Sequence, residues 1–540
     1  MNSKLFDSVG LMIDCSNNCV MTLDAWRKLI PMVAKMGYDR IFVYTEDTYE
    51  IEDEPMFGYM RGRYSIEEQK ELVRLGNEHG IDMVPCIQTL GHLAQIFKWG
   101  VYPNDTDSTM LVGDERTYAL IENMFKSLSK IYTTKYIHIG MDEAHNLGRC
   151  KYLDKNGYED QSSIMRKHLT RVKAIAEKYG FTAMIWSDML FRGWNGGSYY
   201  TGKTNVPEDY VKALPEGVIP VYWDYYMKTP DRYDDMLYNH SQISDNTWFA
   251  GGIWTWLGFA PSNSFTVDSS RPAIEVCLKR GIKNVFFTFW GDDGGECSRF
   301  AALAGLYHVA EMCKGNFDTD SIKAGFEREF GVSYDDFTVL DEPNNVEFDQ
   351  SAEFPLSSAA KHLLYSDPLL GFLDFAITPG ISDKYRDISN RLLKTAERAF
   401  EYSYIFKVIG TLSRILVYKS ELGVKLRAAY RVGDREELRR LADEDMSIIE
   451  ELLPEFISYY RDLWQRENKY CGFEIQEARL GGLAERIRGV RAYIYAYLEG
   501  KINGIEELEC EVKPFGKIKA GEPLFYNRYF RIFSPNISNY

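Results

Sequence analysis

A chain of 540 residues that is 45% hydrophobic is long enough to bury a large core, which points to roughly two to four folded domains. Its formal net charge of −16 argues against nucleic acid or an anionic membrane surface as partner and favours a neutral ligand. No uncharged apolar run reaches the roughly 18 residues of a membrane span, and the opening residues lack the charged-then-apolar order of a secretion signal. The nine cysteines are odd in number and scattered, as free thiols of a reducing cytoplasm would be. Cys15 and Cys19 form the one close pair; without a second pair or clustered histidines, no metal and no cofactor are expected.

The chain then alternates. Val9 to Asp14 is an apolar run, followed by Leu23, Trp26, Leu29, Ile30 and Val33 at helical spacing and Gly37 as a stop. Ile41 to Tyr44 is a second strand; Ser65 and Glu68 make a capping box that opens a helix ending near Gly80. Met83 to Ile87 precedes a helix over 114–130, Tyr136 to Gly140 one over 162–179, and Ala183 to Trp186 a short one near 207–213. Ile219 to Trp223, Trp248 to Trp254 and Asn284 to Trp290 complete eight strands, with helices expected after Pro230, after Ser270 and over 296–313. Continuous apolar strands alternating with helices predict an α/β protein with a (β/α)8 barrel over residues 1–315. Residues 316–345 read as a connecting helix and linker, and 346–540 as a C-terminal helical domain with a long amphipathic segment through Leu393, Ala396 and Phe400 to about 430, then helices at 434–465 and 473–499. The aromatic tail Tyr526 to Phe530 could pack back on the barrel or shape a neighbouring subunit's site.

A barrel of this kind carries its site at the carboxyl ends of the strands. Those ends hold Asp14, Glu46 and Asp47, Gln88 with Gly91 and His92, Asp142 and Glu143, Trp186 to Asp188, Tyr222 to Tyr226, Trp254 to Trp256, and Trp290 to Asp293. Carboxylates interleaved with Trp and Tyr suit a sugar: acids bond hydroxyls, and aromatic faces cover the C–H face of a pyranose. The adjacent Asp142 and Glu143 follow Gly140, whose freedom lets the chain bend so that both address one ligand.

His138-Ile139-Gly140-Met141-Asp142-Glu143 resembles the H-x-G-x-D-E signature of glycoside hydrolase family 20, the β-N-acetylhexosaminidases. Pro85 to Leu93, with Gly91-His92, is similar to that family's third-strand stretch, and Thr45-Glu46-Asp47 stands where its second strand ends. The resemblance covers about residues 8–315, starting at the barrel without the small α/β domain that often precedes it. It implies an exo-acting, retaining enzyme in which Glu143, its proton affinity raised by burial and by the adjacent acid, protonates the leaving oxygen. Asp142 would orient the substrate's own 2-acetamido group, which attacks the anomeric carbon to form an oxazolinium, so that no protein nucleophile is needed. By the same resemblance His92 and Glu46 form a relay behind Glu143. Asp14, Trp186, Asp224, Tyr225, Trp254, Trp256, Trp290 and Asp292 are then substrate-binding candidates, and the partner is a glycan or glycoconjugate ending in β-linked N-acetylhexosamine. A homodimer is left open.

Two departures stand out. The family's first-strand arginine is replaced by Asn17, with Arg61 or Arg63 as candidate substitutes, and the family's seventh-strand Y-x-D matches Tyr222-Trp223-Asp224 on what counts here as the sixth. Tyr225 is the alternative holder of the acetamido oxygen. Three other readings are kept: a metal-dependent hydrolase using His138, Asp142 and His145; a barrel glycosidase with a protein nucleophile such as Asp292; and a catalytically silent sugar-binding protein.

Overall fold

The computed structural model of the protein describes residues 4–346, 356–513 and 522–536. Its chain divides into two compact units: residues 1–253, 266–290 and 307–317 form the first, and 254–265, 291–306 and 318–540 the second.

The first unit is a closed barrel of eight parallel strands in sequence order: β1 (Ser8–Asp14), β2 (Arg40–Glu46), β3 (Asp82–Ile87), β4 (Tyr136–His138), β5 (Thr182–Trp186), β6 (Ile219–Trp223), β7 (Trp248–Gly252) and β8 (Asn284–Phe289). Pairing of Ser8 through Ile13 with Asn284 through Phe289 closes the ring. The interior is filled by alternate residues of the strands, as a pleat with a period of two requires. Met12, Phe42, Tyr44, Val84, Cys86, Met184, Trp186, Ile219, Val221, Trp248, Ala250 and Phe286 form one buried cluster, with Tyr136, Trp223 and Trp290 against it. Arg40 lies over the rings of Tyr136 and Trp248, at 4.8 and 5.0 Å, and joins its guanidinium to Asp82.

Local signals place the helices. Thr22 caps Leu23–Met36, which ends on left-handed Gly37, and Ser65 with Glu68 closes the capping box that opens Ile66–Glu78. Three strands are shorter than their apolar runs, β8 by a single residue, ending at Phe289. β4 stops at His138 rather than Gly140: the chain turns left-handed at Gly140, whose carbonyl still accepts the Trp186 amide of β5. β7 stops at Gly252, so Trp254 stands beyond it. The helix expected after Ser270 begins at Asn263, where the Asp341 carboxylate accepts the amides of Asn263 and Ser264 at 2.8 and 2.7 Å.

The second unit is helical, with Ile381–Ala396, Ser403–Lys419, Leu422–Val432, Met446–Glu467 and Phe473–Leu498 as its main helices. The long segment expected to reach 430 is broken: Phe400 has a left-handed φ of 46° and is 79% exposed, so it lies off the apolar stripe. The tail stays within this unit, with Asn527 donating to the Trp256 carbonyl and the Tyr529 amide to Asp293. Lys361 and Arg479 bridge Asp293 and Glu296, so the segment after β8 is held by buried ion pairs from two helices.

Candidate active site

The site grows from the turn that follows β4. Gly140, Met141 and Glu143 have φ of 70°, 73° and 51°; the left-handed region costs a non-glycine residue of order 1–3 kcal/mol, so the surroundings must hold the turn in place. They do so amide by amide. Gly140 N–H donates to His138 Nδ1 at 3.1 Å, Met141 N–H to Gln88 Oε1 at 3.0 Å, and Glu143 N–H to Asp188 Oδ2 at 3.1 Å. A Cβ on Gly140 would stand 2.1 Å from Gln88 Oε1, so glycine is required for space as well as for φ.

The two carboxylates meet different surroundings. Gln88 Nε2 donates to Asp142 Oδ1 at 2.8 Å, and His92 Nε2 lies 3.3 Å from Asp142 Oδ2 and 3.8 Å from Glu143 Oε2. Burial disfavours charge on Asp142, but the nearby His92 imidazolium and the hydrogen bond from Gln88 outweigh it and hold the carboxyl below its usual range. Burial likewise opposes charge on His92, yet Asp142, then Glu46 and Glu143, lift it to about 10. Glu46 is pushed up to about 8 by burial, against the pull of His92, and accepts a hydrogen bond from Tyr44 at 3.0 Å. Glu46 and His92 also sit at positive φ, 48° and 56°. The expected burial of Glu143 is not found, since its side chain is 43% exposed against 14% for Asp142.

The remaining candidates divide by environment. Trp186 and Trp290 top the barrel core beside Tyr44, with ring centroids 6.1 Å apart and Tyr44 edge-on to Trp290 at 4.9 Å; they form a floor. Asp14 is buried at the end of β1, accepting from Ser16 and Asn17 at 2.7 to 2.9 Å. Asp224, expected to bind substrate, is fully buried, and both its oxygens are taken: Arg232 forks onto them at 2.7 and 2.8 Å, with Tyr222 and the Tyr226 amide adding two more bonds. It holds the turn after β6 and offers a ligand no free acceptor. The strand count stands, so Tyr222-Trp223-Asp224 is on β6, with the Tyr222 hydroxyl donating to Asp224; Tyr225 packs beside Trp223 at 5.7 Å.

Trp254 and Trp256 are buried and stack on each other at 4.0 Å; they belong to the second unit, as does exposed Asp292. Arg61 is committed to the barrel, donating to Asp47, Asn18 Oδ1 and the Ser16 carbonyl, and Arg63 to the carbonyls of Pro55 and Phe57. His138 is buried with its Nδ1 accepting the Gly140 amide, and burial lowers it to about 3, so it is a neutral strut. Among the described residues no three His, Cys, Asp or Glu side chains group to hold a metal ion. Sequence reasoning missed Gln88 and Asp188 as working residues: both were visible at strand ends, but nothing in their type announces that they accept backbone amides.

A closed barrel whose strand ends bring a carboxylate pair, a histidine and a tryptophan floor together is the frame of a glycoside hydrolase. Residues 24–224 match the family model of the glycosyl hydrolase family 20 catalytic domain, and 335–525 that of the Glycoside Hydrolase 20C C-terminal domain. The chain belongs to glycoside hydrolase family 20. Hexosaminidase D of Bos taurus is 23% identical over 273 residues, covering 47% of this chain and 72% of that protein. Hexosaminidase D of Homo sapiens is 23% identical over 211 residues, 37% of this chain and 41% of its own length. A GH20 exo-β-N-acetylglucosaminidase from Vibrio harveyi, 14% identical with a TM-score of 0.48, covers 62% of this chain and 58% of its own. The chain thus spans less than two thirds of the length of the human and Vibrio proteins.

Proposed function

We propose that the protein is an exo-acting β-N-acetylhexosaminidase that removes terminal, β-linked GlcNAc or GalNAc from glycans with retention, using the substrate's 2-acetamido group as nucleophile. The observation that carries this reading is the unequal treatment of two adjacent carboxylates. Asp142 accepts from Gln88 on one oxygen, has the His92 imidazolium 3.3 Å from the other and is held ionised, which suits a group that accepts the acetamido N–H and steadies the positive charge of an oxazolinium. Glu143 is the more solvent-exposed of the two, which suits a group that hands a proton to the leaving oxygen and takes one from water. Environments that separate neighbouring acids assign them different tasks. His92, with Glu46 beside it in charge, acts in this reading as the electrostatic support of both carboxylates; Trp186 and Trp290 underlie the sugar.

The nine cysteines form no disulfide among the described residues, and seven of them are shielded from full exposure, which supports a reducing, cytoplasmic setting; no helix of the described residues is long and apolar enough to cross a membrane.

The test is turnover of a chromogenic β-N-acetylglucosaminide beside the matching β-glucoside. Wild type should cleave only the acetamido substrate, and Glu143→Gln should lose about 10²- to 10⁴-fold in kcat. Equal cleavage of the glucoside would transfer the case to a protein nucleophile. Binding without turnover would leave a sugar-binding protein.

A further inference from the structure

We infer that Asp188 is a positioning residue for Glu143, resting on the reading above: its carboxylate fixes the backbone from which the acid–base side chain projects. Asp188 is the first residue of the short helix Asp188–Arg192 after β5 and is fully buried. Its Oδ2 accepts two hydrogen bonds, from Glu143 N–H at 3.1 Å and from Arg192 Nε at 3.0 Å, while Arg192 is itself tied to the Gly197 carbonyl at 3.0 Å. A non-glycine residue with φ of 51° needs support from its surroundings, and among the described residues the Asp188 bond is the one side-chain contact on the Glu143 amide.

The platform beneath Asp188 is rigid. Trp186 N–H donates to the Gly140 carbonyl at 3.2 Å, and Ser187 N–H to the Val221 carbonyl at 3.0 Å. Ser187 Oγ is bonded to both His240 Nε2 and the Tyr199 hydroxyl, at 2.8 and 2.9 Å. The end of β5 is therefore anchored to β4, to β6 and to the helix Asp231–Ser241, and it transmits that rigidity to the catalytic turn through one carboxylate oxygen.

The other oxygen, Oδ1, is buried and has no hydrogen-bond partner among the described residues. A charged carboxylate with a bare oxygen beside Asp142 is unfavourable; burial first, then Asp142, lift Asp188 to about 7, against the Glu143 amide and Arg192. In mildly acid solution the proton resides on Oδ1, and Oδ2 remains the acceptor for Glu143. An asparagine can reproduce this state, with its carbonyl at the Oδ2 position and its amide nitrogen at Oδ1. Alanine cannot.

The experiment compares Asp188→Ala and Asp188→Asn with wild type on the chromogenic β-N-acetylglucosaminide at pH 6, with thermal unfolding as a check of folding. Asp188→Ala should lose about tenfold to a hundredfold in kcat, the scale set by misplacing a catalytic group by about an ångström, with KM within about twofold. Asp188→Asn should restore most of that kcat. A kcat for Asp188→Ala within about twofold of wild type, or an Asp188→Asn variant as impaired as Asp188→Ala while both remain folded, would overturn the assignment. Absence of wild-type turnover would instead strike the proposed reaction, so the two failures are distinguishable.

Discussion

His92 Nε2 stands 3.3 Å from Asp142 Oδ2, closer than to any oxygen of Glu143. The imidazolium therefore acts first on Asp142, proposed to face the acetamido group, and only secondarily on Glu143, the proposed acid–base residue. A relay running from Glu46 through His92 to Glu143 alone does not describe this arrangement; one cation serves three acids, held near 10 by Asp142, Glu46 and Glu143 against the cost of burial.

Removing that cation should be felt as a pH effect. In His92→Ala, Asp142 loses the charge that keeps it ionised, so its pKa rises and the acid limb of the kcat–pH profile moves upward, with a lower plateau. A profile that drops in height without moving would separate His92 from Asp142.

Gly140→Ala should damage stability and activity together. The new methyl group meets φ of +70° and the Gln88 amide at 2.1 Å, and Gln88 is also what orients Asp142. A destabilisation of about 2 kcal/mol or more by denaturant unfolding is expected, with kcat reduced in the folded fraction. Wild-type stability would mean that Gln88 can withdraw without loss.

Arg232→Ala should cost stability rather than sugar affinity. It leaves the fully buried Asp224 carboxylate without its forked partner, a loss of about 3–5 kcal/mol for a broken buried pair. If the folded variant instead showed a selectively raised KM for the saccharide, Asp224 would return as a binding residue.

Stability should fall on the alkaline side. Glu46 rises from an ordinary 4.5 to about 8 on folding and His92 from 6.5 to about 10, so both bind protons more tightly in the folded state. The stability they contribute is complete below their ordinary values and drains as pH climbs through 8 and 10. His138, lowered from 6.5 to about 3, works oppositely, favouring the fold above 6.5 and losing that contribution as pH falls toward 3. The melting temperature should therefore decline from pH 6.5 to 8, and Glu46→Gln should flatten that decline. An unchanged slope in that variant would mean that Glu46 titrates normally.

The eight strands were legible because each is shielded on both faces, by core inside and helices outside, and so reads as an unbroken apolar run. Helix ends with local caps, such as Ser65 with Glu68, were legible for the same reason that they form: donor and acceptor lie within four residues. The start of the helix at Asn263 was not, because its cap, Asp341, is 78 residues away. Phe400 misled as an apolar residue at helical spacing, since periodicity says nothing of a chain that breaks and leaves the side chain in water.

From sequence alone came the barrel, and with it the proposal of the strand ends as the place of chemistry and of Asp142 with Glu143 as the pair, because these depend on residue type and spacing along the chain. What tertiary structure alone decided was how the pair is held: Gln88 on Asp142, Asp188 on the Glu143 amide, His92 nearer one acid than the other, and Asp224 turned inward onto Arg232. Those relations join residues 8 to 54 positions apart, and whether a carboxylate accepts from a substrate or from its own protein depends on which donors the fold brings within about 3 Å.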